Sequence, residues 1–306
     1  MADRASQKAD FCIEIDFQKG TENPSRIFKT MTELIEAFQL LDIDLVKSIH
    51  PEIAPVAIIE DIEAGSLRTW LAYVLKSADD DALKNLDWKK AVGSYLVKAK
   101  YVVLNFIEKK TTITTREEIG TIEKELLDLA KQTDVIHIPA YQPIPPKKML
   151  EDLNTVTSAL SHLAEQDKAI YFGAQSDDKT TINAEFYIAP EAIENLLTRE
   201  VLTSKTEMIL KVKKPDYLGQ SQWEFRHGRR AITAKITDVE WVRKFQSRQE
   251  DVRPGDSLRV EMATQVKYGY DNEVIGTSYN ISHVIEVLPG STEDQLSLLF
   301  NEESED

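Results

Sequence analysis

A chain of 306 residues, 42% hydrophobic and 29% charged, has the length for two domains and the composition of an ordinary globular protein. Its formal net charge of −15 excludes wholesale attraction to nucleic acid or to an anionic membrane, while leaving room for a local basic patch. One cysteine, Cys12, excludes an internal disulfide and a cysteine-rich zinc site, and no apolar run reaches membrane-spanning length.

The start, Met1-Ala2-Asp3-Arg4, lacks the apolar core of a signal peptide, and few cysteines suit a reducing compartment. A cytoplasmic protein with no membrane partner is the expectation. Phe11, Ile13 and Ile15 alternate with Cys12, Glu14 and Asp16, the period of a strand. Asn23-Pro24 reads as an N-cap followed by a first-turn proline. Ile27, Met31, Leu34, Phe38 and Leu41 then recur at spacings of three and four, one apolar helix face. Residues 54 to 75 read as a β-hairpin turning at Glu63-Ala64-Gly65-Ser66, and Asp79-Asp80-Asp81 as a loop. Trp88, Val92, Tyr95, Leu96, Ala99 and Val103 mark a long helix. Thr115 and Glu118 form a capping box at the start of the next one. Strands with helices gathered on one face predict an α+β layer domain over residues 1–138.

Pro139 to Pro146 is the stretch richest in breakers, and closely spaced prolines stiffen a chain toward an extended form. Residues 139–204 are therefore expected to be a linker and a helix–hairpin–helix bridge. Its helix carries Met149, Leu150, Leu153 and Val156, and its hairpin pairs Ala169–Ala174 with Ala184–Ile188.

From 205 to 290 short alternating runs follow one another at strand spacing: Met208–Lys213, Trp223–Arg226, Ala231–Ile236, Val239–Val242, Ser257–Met262 and Ser278–Val287. Pro254-Gly255-Asp256 is a turn between two of them. This predicts a barrel of about five strands in the style of OB or SH3-like modules, a fold that by itself fixes no function. Residues 291–306 form an acidic tail.

Lys205 to Glu250 holds eleven bases against six acids, a surplus of five in a strongly acidic chain. Trp223, Phe225 and Trp241 lie among them. Aromatic rings between positive charges are what a single-strand-binding face needs, stacking for bases and charge for phosphates. Lys211, Lys213, Trp223, Arg226, Arg229, Arg230 and Trp241 are the candidate nucleic-acid residues on that reading. In the other reading the rings fill the barrel and the bases coat it.

Chemistry is sparse. There is no phosphate-cradling glycine motif, no nucleophile elbow, and none of the five histidines has a partner at metal-ligand spacing. Glu14, Asp16, Glu60 and Asp61 could converge on a hard cation if their strands were neighbours, as in a metal-dependent hydrolase. Alternation alone also predicts acids on a wet sheet face. No catalytic residue and no cofactor is assigned.

The strand from Asp10 to Phe17, the hairpin Glu60-Asp61-Ile62-Glu63-Ala64-Gly65-Ser66-Leu67 and the turn Arg253-Pro254-Gly255-Asp256 resemble an uncharacterised bacterial family. That family has an N-terminal α+β domain and a C-terminal five-stranded β-barrel. The resemblance covers most of the chain and supplies no catalytic residues. It implies a bacterial cytosolic protein, and proteins of this kind are suspected of roles in defence against phage. The expected function is non-enzymatic binding or assembly with a protein partner, including a second copy of the chain. Nucleic-acid binding by the barrel is the first alternative and metal-dependent hydrolysis the second.

Overall fold

The computed structural model describes residues 9–20, 23–63, 66–77, 87–138, 141–217 and 221–290. The chain divides into two units, Met1–Leu197 and Thr198–Asp306. The fold is α+β, with a sheet-and-helix unit followed by a closed five-stranded barrel. Among the described residues no helix is long and apolar enough to cross a membrane.

The first unit contains β1 (Phe11–Asp16), α1 (Ser25–Ile49), β2 (Ile53–Glu63), β3 (Leu67–Ser77), α2 (Trp88–Ile107), α3 (Arg116–Gln132), α4 (Pro146–Ser158), β4 (Lys168–Gly173), β5 (Thr180–Thr181) and α5 (Pro190–Leu197). Its antiparallel sheet has the order β2-β3-β1-β4-β5. The alternation in β1 sends Phe11, Ile13 and Ile15 to one face and Cys12 and Glu14 to the other, all of them buried. Phe11 packs on Tyr73 and Tyr171 at 5.2 and 5.8 Å between ring centres, and Phe38 of α1 lies 5.6 Å from Tyr171. That aromatic layer joins sheet to helices. On the opposite face Cys12, Trp70, Phe172 and Ala9 form a smaller cluster. The capping box at Thr115 is present, with both reciprocal hydrogen bonds made.

Several segments differ from the expectation. Asn23 sits at φ 59° and does not cap α1, because it takes a left-handed turn that lets its carboxamide accept from Ser25 Oγ. The expected bridge is part of the first unit. β4 pairs with β1 along its whole length, and α4 packs on α1. The partner of β4 is the short Thr180–Thr181, not Ala184–Ile188, whose Phe186 and Ile188 are buried without strand pairing. The turn residues 64–65, the triple aspartate at 79–81, Pro139-Ala140 and the acidic tail lie outside the described residues.

The second unit contains β6 (Glu200–Lys214), β7 (Trp223–His227), β8 (Arg230–Ile236), α6 (Val239–Gln246), β9 (Ser257–Tyr268) and β10 (Val274–Leu288). The closed order is β10-β8-β7-β6-β9. β6, β7 and β8 form a meander, and the β9–β10 hairpin closes it with β10 parallel to β8. Strand order 1-2-3-5-4-1 with a helix between the third and fourth strands is the connectivity of an OB barrel. Val239–Val242, read from the sequence as a strand, is helical. Asp238 accepts a hydrogen bond from the Trp241 N–H, and Trp241 and Phe245, four residues apart, stack face to face against the barrel interior. Alternation over four residues hid a spacing of four that only the longer run displays.

Candidate functional site

The barrel face made by β6, β7 and β8 is where the charge anomaly comes to rest. Register places Lys211 opposite Arg226, and Arg226 opposite Ala231, so these side chains share one face. Leu210, Val212, Trp223, Phe225, Ile232 and Ala234 take the inward positions and are buried. The tight turn between β7 and β8, with Gly228 at φ 61°, presents Arg229 beside Arg230. Between Lys211 and Ile236 stand seven Lys and Arg and two acids, Asp216 and Glu224. Glu224 is 3.9 Å from both Lys213 and Lys214, and Arg230 donates to the Tyr279 hydroxyl at 3.1 Å. The remaining charge is positive, and Arg226, Arg229 and Arg230 are exposed.

The two tryptophans of the candidate set are not on this face. Trp223 stacks on Phe225 and meets Trp241 and Phe245 at 5.8 and 4.8 Å inside the barrel. A base cannot stack on either ring while the barrel is closed. The face is therefore electrostatic, and the five cationic members of the set, Lys211, Lys213, Arg226, Arg229 and Arg230, remain on it.

The carboxylate set is not assembled. β3 lies between β1 and β2, so Glu14 and Asp16 have no shared edge with Glu60 and Asp61. Glu14 is bound by Arg68 at 2.8 Å, by the Ser66 hydroxyl at 2.7 Å and by Lys179 at 3.4 Å. Burial acts to raise its carboxyl, but those hydrogen bonds and charges outweigh it and hold Glu14 below the usual carboxylate range. Glu60 occupies a bulge in β2, and Asp61 accepts from the Ile62 N–H. Among the described residues no group of three or more His, Cys, Asp or Glu could hold a metal ion. Cys12 is fully buried, and burial first, then the charge of Glu14, pushes its thiol up to about 12.

Sequence reasoning missed one cluster. Lys100 of α2, Asp42 of α1 and Tyr73 of β3 meet in the core of the first unit, and both Lys100 and Asp42 are sealed from solvent. Lys100 donates to the Asp42 carboxylate and to the Tyr73 oxygen, and Tyr73 donates to Asp42 at 2.8 Å. The ammonium also lies 5.0 Å from the centre of the Phe11 ring and 5.1 Å from that of Tyr73. Burial lowers Lys100 and raises Asp42, each more than the opposite partner restores. A signal was present: Lys100 is four residues from both Leu96 and Leu104, and Asp42 is four from Phe38, on apolar stripes. With no route to solvent, the cluster joins helices to sheet rather than meeting a substrate.

A cavity of the first unit, about 1140 Å³, runs along α2, with Lys90, Gly93, Lys98, Tyr101 and Lys179 in its wall. Asp10, Glu108 and Asp178 also line it, so its charge is mixed. Compared with protein-family models, curated proteins and solved structures, the chain matches none.

Proposed function

We propose that this is a non-enzymatic binding protein whose barrel takes a single-stranded nucleic acid on the outer face of β6, β7 and β8. The observation that carries the reading is the charge of residues 211–236, seven Lys and Arg against two acids in a chain of net charge −15. The connectivity supports it, since OB barrels present the sheet around their second and third strands to oligonucleotides. Because the aromatic rings face inward, contact is to phosphates and not to bases. Binding is then indifferent to sequence and steeply dependent on salt.

Fluorescence anisotropy of a labelled oligo(dT), about 16 nucleotides long to fill an OB site, tests this. If four cations meet phosphates, log affinity falls with log salt at a slope of about −3, a loss of about fiftyfold between roughly 50 and 200 mM. Arg226→Glu with Arg229→Glu lowers affinity at least about tenfold and flattens that slope. No binding at low salt removes the reading.

A second reading, self-association, rests on β2. It lies at one end of the sheet and, among the described residues, pairs with β3 alone, while Val56, Ile58, Ile59 and Ile62 are exposed along it. An open strand edge with apolar side chains recruits another edge. Light scattering coupled to size exclusion reads this directly, and a monomer throughout the micromolar range dismisses it. A bacterial cytosolic setting and a part in phage defence remain the context that the family resemblance suggests.

A further inference from the structure

Residues 291–306 contain six acids, Glu293, Asp294, Glu302, Glu303, Glu305 and Asp306, and no Lys or Arg. They follow Gly290, the last described residue, which is held against the barrel. The Gly290 N–H donates to Asp256 Oδ1 at 2.8 Å. The Asp256 carbonyl accepts from the Val212 N–H at 2.7 Å, and the Gly255 N–H donates to the Val212 carbonyl at 2.8 Å. Gly290 thus sits beside the strand position flanked by Lys211 and Lys213. A Cβ on Gly290 would lie 2.3 Å from the Gly255 carbonyl oxygen, so the exit is pressed against the Arg253–Asp256 turn.

We propose that residues 291–306 dock in cis on the basic face of β6, β7 and β8 and compete there with anionic ligands. The proposal rests on the reading of that face as an anion-binding surface. Charge and reach both support it. Six acids answer a stretch, residues 211–236, with a surplus of five positive charges, and they follow directly on Gly290 beside it. Sixteen extended residues span about 50 Å, whereas crossing from β6 to β8 takes about 10 Å at ordinary strand spacing. Tethering supplies an effective concentration of order 1 mM. Against a local dissociation constant of about 0.1 mM, typical of weak non-specific ionic contacts, the segment lowers apparent ligand affinity about tenfold.

The test compares the full chain with a full-length variant carrying Glu293→Gln, Asp294→Asn, Glu302→Gln, Glu303→Gln, Glu305→Gln and Asp306→Asn. The neutralised variant should bind labelled oligo(dT) about tenfold more tightly at low salt, with the two converging as salt rises. Equal affinities overturn the proposal. A synthetic peptide of residues 291–306, labelled and titrated with the neutralised variant, should bind and should be lost when Arg226, Arg229 and Arg230 are changed to Glu. Peptide binding without oligonucleotide binding keeps the tail docking and sinks the nucleic-acid reading. Oligonucleotide binding without peptide binding does the reverse.

Discussion

Removing the Lys100 ammonium isolates the energetics of the buried cluster. Lys100→Met keeps the unbranched stem, one atom shorter, and deletes its charge. Asp42 then keeps the Tyr73 hydroxyl as a hydrogen-bond donor, in a site closed to solvent. Breaking one side of a buried ion pair costs about 3–5 kcal/mol, since the surviving charge stays desolvated. That is a large part of the roughly 5–15 kcal/mol that keeps a domain folded. The triple variant Asp42→Leu, Tyr73→Phe, Lys100→Met leaves no polar atom of the three behind. It should return to within about 1–2 kcal/mol of the parent, because well-packed apolar replacements of buried pairs are often neutral. Urea denaturation followed by circular dichroism measures both. The pH dependence adds a sign. Burial already raises Asp42 above its ordinary value, and without Lys100 it rises further. A carboxyl raised in the folded state favours folding below its unfolded value and loses that advantage as pH rises through the folded value. The Lys100→Met protein should therefore be more stable at mildly acidic than at neutral pH. A cost under about 1 kcal/mol for Lys100→Met, or a triple variant as unstable as the single one, refutes this account.

Three further outcomes follow from buried groups and close contacts elsewhere in the chain. Asp152, buried on α4, is raised from 3.8 to about 7, by burial first and then by the charge of Asp44, with Lys148 at 3.8 Å opposing. Stability should fall as pH climbs through that interval and level off above it. The loss is about 2–4 kcal/mol, and Asp152→Asn should abolish the slope in pH-dependent melts. Gly290→Ala drives a methyl against the Gly255 carbonyl and should lower barrel stability by about 1–3 kcal/mol, read as an earlier urea midpoint. Cys12, buried and with its thiol pushed up to about 12, should resist a thiol-reactive dye in the native protein and react fully once unfolded.

Local pattern carried most of the elements. Strand alternation in Phe11–Asp16, the apolar stripe from Ile27 to Leu41 and the Thr115–Glu118 cap all appear where the residues place them. The barrel strands were legible for the same reason. What local pattern cannot supply is pairing across long stretches of chain. β4 joins β1 over about 150 intervening residues, and nothing in Lys168–Gly173 names that partner. A stretch of prolines therefore read as a boundary, although the chain returns to complete the sheet. Lys100 and Asp42 were hidden differently. Each is a charged residue on an apolar stripe, and each is tolerable only because the other arrives from a separate helix.

The nucleic-acid reading turns on one register. In Trp223-Glu224-Phe225-Arg226 the side chains alternate, so either the rings or the charges face solvent, but not both. The sequence admits both choices for the barrel. The structure sends Trp223 and Phe225 inward, where Trp241 and Phe245 of α6 complete the core, and leaves Arg226 level with Lys211 outside. On the proposed reading, a face selected in this way meets phosphates and leaves the bases unread. A surface that works through charge alone attracts negative charge whatever molecule carries it. Residues 291–306, with six acids and no Lys or Arg, carry such charge as an oligonucleotide does.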